Sequence, residues 1–317
     1  MGGERRGPAE LQCYNKPRRD AAVVDAGARS PASYRHRRST VAAVELPSPS
    51  NHRHRHHRVT VTVTVTVTVT VTATVAATVM STAFISDIHL NPQRPDSFAR
   101  FERFMAQAVR RLRRLYILGD LFDYWVGDDG VDAIGQGRAE AALRAVTDAG
   151  VTVFFMRGNR DFLIGDEFAA RTNCRLLPDP STVTVDERAF LLSHGDALCT
   201  DDTEHQAARQ EMLSAKWQFA FMQKPLPERI DAAAELRRRS ESRKQRTSRA
   251  MMDVNQAAVE SFMREHRADT LIHGHTHRPA VHQFNLDGKP AWRYVLGDWH
   301  QRRSALYYQR GILALKK

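Results

Sequence analysis

The chain has 317 residues, with 47 Lys+Arg against 36 Asp+Glu and a formal net charge of +11. The excess is uneven: residues 1–79 hold 12 basic and 5 acidic residues (+7), which leaves 35 against 31 (+4) for the remainder. The basic charge thus describes a tail more than a fold, and nucleic acid is not an expected partner. No run of about 18 apolar residues is present, so no membrane-spanning helix is expected, and the N-terminus lacks the apolar centre of a signal peptide. Cys13, Cys174 and Cys199 are odd in number and without metal-site spacing, and read as free thiols of a reducing compartment.

Residues 1–58 are rich in Arg, His, Pro and Ser, with no apolar period that could bury a core. His52, His54, His56 and His57 belong to this solvated stretch. Val59 to Thr72 is then an unbroken alternation of Val and Thr, the pattern of a strand but also the product of a short tandem nucleotide repeat. Residues 1–79 are therefore read as a disordered, low-complexity extension, with Met80 the expected start of translation. A basic targeting arm is the functional alternative.

From Thr82 the pattern turns globular. Thr82 to Ser86 predicts a strand, and Asp87 and His89, two apart beyond its end, point to one side. Asp96 to Arg113 predicts a helix with Phe98, Phe101, Phe104 or Met105, Ala108 and Leu112 as its apolar stripe. Leu115 to Leu118 is a buried strand that ends in Gly119-Asp120. Gly137 to Ala149 predicts a second helix closed by Gly150, and Val151 to Met156 a further strand running into Gly158-Asn159-Arg160-Asp161. Thr182 to Val185 and Ala189 to Ser193 form a hairpin that hands over to His194-Gly195-Asp196. About 198–267 reads as a helical insertion, broken by Pro225 and Pro227. It holds the apolar cluster Met212, Leu213, Trp217, Phe219, Phe221 and Met222 and a basic run from Arg237 to Arg249. Thr270 to His273 restores a strand before Gly274-His275-Thr276-His277, and strands near Trp292–Leu296, Ala305–Tyr308 and Ile312–Leu315 close the chain. Alternation of β and α argues for a layered α/β body at 80–317 that carries a helical cap.

Five of these strand tips end in Asp, His, Asn or His-x-His. One such tip is weak evidence; five in order, each after an apolar run, are ligand supply for two metal ions. Asp120 is the centre of the set, because a carboxylate has two oxygens and can bridge two cations. Hard oxygen donors mixed with imidazole, without thiolate, suit Mn²⁺, Fe²⁺ or Zn²⁺. Two such ions held about 3.5–4 Å apart activate a water and stabilise the charge of in-line phosphoryl displacement.

The five segments resemble the calcineurin-like metallophosphoesterase superfamily. Gly119 to Asp129, Gly158 to Phe162, His194 to Asp202 and Met252 to Asn255 are similar, more closely, to its UDP-2,3-diacylglucosamine diphosphatases of lipid A synthesis in Gram-negative bacteria. The resemblance implies an αββα sandwich of two mixed sheets with an inserted helical cap, and two Mn²⁺ ions. It implies hydrolysis of UDP-2,3-diacylglucosamine at the α-phosphorus, giving UMP and 2,3-diacylglucosamine 1-phosphate, by an enzyme peripheral on the cytoplasmic face of the inner membrane. Carried over by residue, Asp87, His89 and His277 hold one metal, Asn159, His194 and His275 the other, and Asp120 bridges them. Asp120, Asn159, Arg160 and His194 carry the chemistry. Asn159, Arg160, Asp202, Ser240, Lys244, Thr247 and His275 contact substrate, although Asp202 reads equally as a helix N-cap. Two departures stand out: Lys244 replaces a polar uncharged residue of the family and Thr247 a Lys. The surplus apolar residues of the cap suit an acyl chamber or a membrane surface. The alternative is another dinuclear metallophosphoesterase acting on a nucleotide or phosphoprotein.

Overall fold

The computed structural model describes residues 81–248, 251–300 and 303–316, and all side chains among these except that of Lys244. The expectations for residues 1–79, for a start at Met80 and for the Lys244 side chain lie outside the described residues.

Strand β1 (Ser81–Ile85) is buried throughout, as its continuous apolar run requires. Helix α1 (Pro95–Arg111) crosses back and β2 (Leu112–Leu118) lies parallel to β1. Helix α2 (Gly137–Asp148) leads to β3 (Thr152–Met156), and α3 (Asp166–Thr172) to the short β4 (Arg175–Leu177), both strands again parallel. Strands β5 (Ser181–Val185) and β6 (Arg188–Ser193) form the expected hairpin. Four helices follow: α4 (Thr203–Met212), α5 (Ala215–Met222), α6 (Leu226–Arg246) and α7 (Gln256–Glu265). The chain closes with β7 (Thr270–His273), β8 (Ala280–Leu286), β9 (Lys289–Val295), β10 (Ala305–Gln309) and β11 (Ile312–Lys316).

The strands make two mixed sheets, ordered β11-β10-β1-β2-β3-β4 and β5-β6-β7-β9-β8. Strand alternation sorts the side chains into layers. Phe84, Tyr116, Leu118, Phe190, Leu192 and Ile272 meet between the sheets, while Ala83, Ile85, Leu115 and Ile117 turn to the opposite face with Phe98, Phe101 and Phe104 of α1 and Leu143 of α2. Leu191 and Leu271 of the second sheet pack against Val259 and Met263 of α7. Helix α7 is therefore the outer layer of the sandwich, which is why its apolar face is narrow and regular.

Several boundaries differ from expectation. Leu112 adopts extended angles (φ −109°, ψ 143°) and starts β2, yet drops into the same core as the α1 stripe, so periodicity could not separate the two states. The helical stretch before Pro225 is two helices: α4 ends at Met212 with Leu213 as its C-cap, and Ser214 caps α5, its Oγ accepting the Trp217 N–H at 3.2 Å. α3, β4 and β8 carried no legible signal, since they are short or lie at the sheet edge with mostly exposed side chains.

Candidate active site

Parallel strands β1, β2, β3, β6 and β7 bring their C-terminal tips to one edge of the sandwich. There Asp87, His89, Asp120, His275 and His277 all take positive φ, between 51° and 65°. Five non-glycine residues in the left-handed region, in one place, are conformational strain that the packed sheets hold in position. The β2 tip also needs Gly119 (φ +84°): a Cβ there would fall 2.5 Å from the Cα of Gly158 and 2.7 Å from His194 Nδ1.

The side chains form two groups around Asp120. On one side, His89 Nε2 lies 3.9 Å from Asp120 Oδ2, 3.9 Å from Asp87 Oδ1 and 3.1 Å from His277 Nε2, which is itself 3.3 Å from Asp87 Oδ1. On the other, His194 Nε2 lies 3.6 Å from Asp120 Oδ1 and 3.0 Å from Asn159 Oδ1, and His275 Nδ1 is 2.9 Å from the same amide oxygen. All seven sequence-predicted ligands thus come together, and the two oxygens of Asp120 face different groups.

The surroundings aim these donors. His194 Nδ1 donates to the Leu118 carbonyl at 2.8 Å, which turns its Nε2 lone pair inward. The His275 N–H donates to Asp87 Oδ2 at 2.9 Å, and the Arg160 N–H to Asp120 Oδ1 at 2.8 Å. Asp161 is wholly buried and accepts the N–H groups of Gly158 (2.7 Å), Leu121 (2.8 Å) and Asp120 (3.2 Å), tying the loops after β2 and β3 together.

Burial, with the like charges of Asp161 and Asp87, pushes the Asp120 carboxyl up to about 7, although the His194 imidazole opposes it. Burial lowers His194, but the carboxylates of Asp120, Asp196 and Asp87 outweigh it and push the imidazole up to about 10. Asp87 Oδ1 is buried without a well-aligned hydrogen bond. Groups that draw protons this strongly, beside a buried carboxylate oxygen left without a well-aligned hydrogen bond, are a donor set that attracts positive charge. Two divalent cations fit it: Asp87, His89 and His277 would hold one, Asn159, His194 and His275 the other, with Asp120 between.

A cleft opens beside this cluster. Its polar half, about 410 Å³, is lined by Asp120, Asn159, His275 and His277 together with Arg160 and Arg278. Its apolar half, about 440 Å³, lies under the helices, against Trp125, Phe162, Leu163, Trp217, Phe221 and Leu236. Asn159, Arg160, His205, Ser240 and Arg243 line both halves. Arg160 Nη2 donates to Ser240 Oγ at 3.3 Å. Asp202 does two structural jobs: Oδ1 caps α4 by accepting the His205 N–H at 3.0 Å, and Oδ2 pairs with Arg243. Thr247 donates its hydroxyl to the Arg243 carbonyl at 2.9 Å and lines neither half. The cap is pinned to the body by Arg229 on Asp129 (Nη1 to Oδ1, 2.8 Å) and Arg237 on Asp123 (2.8 Å).

Residue patterns alone had passed over four side chains here. Asp161 follows Arg160 after β3, and no pattern in the sequence assigns it a role. His205 stacks on His275 with ring centroids 5.1 Å apart, at a position that no motif marks. Asp298 lies 3.3 Å from His277 Nδ1, and the His300 ring stacks over that of His89 at 5.7 Å. Their signal was present: Gly297-Asp298-Trp299-His300 repeats both the Gly-Asp tip and the Asp-x-His spacing seen earlier.

A model of the calcineurin-like phosphoesterase family matches residues 80–279. The chain belongs to this family. Relatives agree: the UDP-2,3-diacylglucosamine hydrolase of Aromatoleum aromaticum is 48% identical over 221 residues, 70% of this chain and 90% of that one. Those of Chromohalobacter salexigens (45%, covering 71% and 91%) and Escherichia coli O7:K1 (45%, covering 71% and 93%) bear the same name. As a calcineurin-like phosphoesterase the chain is a hydrolase; the family implies a dinuclear metal site, and the strand tips supply candidate ligand groups for it.

Proposed function

We propose that this phosphoesterase hydrolyses UDP-2,3-diacylglucosamine at the α-phosphorus, releasing UMP and 2,3-diacylglucosamine 1-phosphate for lipid A synthesis. The observation that carries the reading is the two-part cleft: a metal-type donor set and three arginines in one half, an aromatic-lined apolar half beside it, and Arg160 and Asn159 at the junction. A diphosphate with a nucleoside on one side and acyl chains on the other has that division of polarity. The names of the relatives point to the same substrate.

The oxygen–imidazole donor set suits two Mn²⁺ ions, held by the seven residues above, and bound ions would supply charge stabilisation and an activated water. The chain's own groups do the rest. The Arg160 guanidinium, steadied by Ser240, offers fork geometry to the diphosphate oxygens. The Asn159 amide joins the second metal position to the cleft. Water adds its oxygen to the α-phosphorus, the bond to the bridging oxygen breaks, and the sugar 1-phosphate departs. Arg243 lines the same junction, whereas Thr247, at the end of α6, lines neither half of the cleft and is not retained in the reading as a substrate contact. Asp202 would act there mainly by holding Arg243.

We assign the cap to α4–α6, the helices over the cleft. Phe219 (69% exposed), Leu213, Met222 and Leu236 leave an apolar surface there, with Lys216, Lys224 and Arg239 exposed nearby. That combination suits peripheral contact with the cytoplasmic face of an anionic membrane. Among the described residues no helix is long and apolar enough to cross one. Co-sedimentation with anionic but not neutral vesicles, lost on Phe219→Asp, tests the contact.

The substrate is tested by mass spectrometry of products from UDP-2,3-diacylglucosamine with Mn²⁺ in ¹⁸O-labelled water. UMP carrying the label is expected. An inert lipid substrate beside rapid hydrolysis of a nucleotide or phosphoprotein would move the chain to another branch of the family.

A further inference from the structure

The loop between β9 and β10 holds the side chain that stands behind a predicted metal ligand. Trp299 anchors it: the indole is buried, packs edge-on against Phe104 at 5.2 Å and donates Nε1–H to the Ser304 carbonyl at 2.9 Å. The Gly297 N–H donates to Ser304 Oγ at 3.0 Å, closing the loop on itself. The Trp299 N–H donates to the Asp87 carbonyl at 3.2 Å, which ties the loop directly to the tip of β1. Asp298, between Gly297 and Trp299, is thus held on both flanks.

Its carboxylate is oriented as well. Oδ1 accepts the His300 N–H at 3.1 Å, and Oδ2 faces His277 Nδ1 at 3.3 Å. The other ring nitrogen of His277, Nε2, faces Asp87 Oδ1 at 3.3 Å and His89 Nε2 at 3.1 Å. An imidazole with a carboxylate on Nδ1 keeps its proton there and turns the Nε2 lone pair the other way, and the negative partner makes that lone pair a stronger donor. His194 is set in the same way, but by the neutral Leu118 carbonyl. The two halves of the site therefore differ in how their imidazoles are supported.

We propose that Asp298 is a positioning residue for the metal position formed by Asp87, His89 and His277: it fixes the tautomer and ring angle of His277 and strengthens Nε2 as a ligand, without binding the ion itself. The inference rests on the two-cation reading of the site. It makes the affinity of one position, and not the other, depend on a residue of the β9–β10 loop.

The test is calorimetric titration of the metal-free full chain with Mn²⁺ alone, for wild type, Asp298→Ala, Asp298→Asn and His277→Ala. Wild type should bind two ions. Asp298→Ala should weaken one of them by about 10- to 100-fold, the usual cost of losing such a partner, and leave the other within a few-fold. Asp298→Asn, which can still accept from Nδ1–H but carries no charge, should fall between. Melting temperature in the absence of metal should stay near wild type for both Asp298 variants. Equal weakening at both positions, no weakening at either, or a matching fall in metal-free stability would overturn the inference. So would a third ion lost with Asp298, which would make it a ligand. His277→Ala separates the two levels: if it still binds two ions the two-cation assignment fails. If it loses one while the Asp298 variants bind normally, only the present inference fails.

Discussion

Asp120 shows how one side chain can organise a site. Oδ1 lies 3.6 Å from His194 Nε2 and Oδ2 lies 3.9 Å from His89 Nε2, so its two oxygens face different halves of the donor cluster. Asp120→Ala should lower turnover at least 1,000-fold, on the order expected when a transition-state charge clamp is removed. Steady-state kinetics with saturating Mn²⁺ would check this, and near-wild-type rates would sink the bridging role. His273 behaves differently although it lies two residues from His275. Burial, aided by the Arg293 guanidinium, lowers its imidazole to about 4 from 6.5, so it stays neutral in the fold. The unfolded chain therefore takes up a proton below about pH 6.5 that the folded chain refuses until about pH 4, and stability must fall as pH drops through that window. At pH 5 the penalty is about 2 kcal/mol relative to pH 7, at 1.36 kcal/mol per pH unit. Urea unfolding of wild type and His273→Gln at both pH values isolates the contribution: the wild type should lose more stability on acidification than the variant, and parallel losses would refute it.

Strand tips are where sheet geometry becomes chemistry. β7 delivers Gly274 against β1 so tightly that a Cβ on it would sit 2.1 Å from Ser86 Oγ and 2.3 Å from Asp87 Oδ2. Gly274→Ala must push β1 and β7 apart at the ligand positions of Asp87 and His275. A cost of about 1–3 kcal/mol in stability is expected from such overpacking, together with loss of Mn²⁺ binding out of proportion to it. Thermal melts and metal content per chain would measure both; an unchanged metal content would mean that the tips are less tightly coupled than their spacing implies. The helices show the complementary case. Phe221 is buried in the body core and Trp217 stacks on it at 4.8 Å, whereas Phe219 points outward. The surplus of apolar residues in α5 thus divides between packing, the cleft and an exposed face.

Polarity across the whole molecule separates phosphoryl chemistry at the strand tips from recognition under the cap. Trp217→Ala should therefore affect two substrates of the same enzyme unequally. Losing contact with two or three methylenes, at ~0.8 kcal/mol each, weakens a diacyl substrate roughly ten- to fifty-fold. Hydrolysis of a small phosphodiester that does not reach the apolar half should change little. Parallel loss with both substrates would show that Trp217 supports the fold through Phe221 and not the lipid.

Much of this architecture could be read in advance because it is written in local terms. Each of the five strands read as apolar runs leads into a polar donor, and the seven expected ligands fall within a few residues of where such runs stop. The ion pairs between the cap and the body are not local in that sense. Asp202 caps α4 through a neighbour three residues on, but its second oxygen meets Arg243, 41 residues away, and the basic run of α6 reads as a solvated face until Asp123 and Asp202 are brought to it. Asp298 is the clearest instance. Its sequence environment matches the other tips, but its partner His277 is met only after β8 and β9 have folded back and Trp299 has locked the loop. Short-range pattern determined the identity of the donors, because burial and strand alternation act between neighbours. Only the tertiary structure decided which donor supports which, because hydrogen bonds and ion pairs act on distance in space and the chain between them can be of any length.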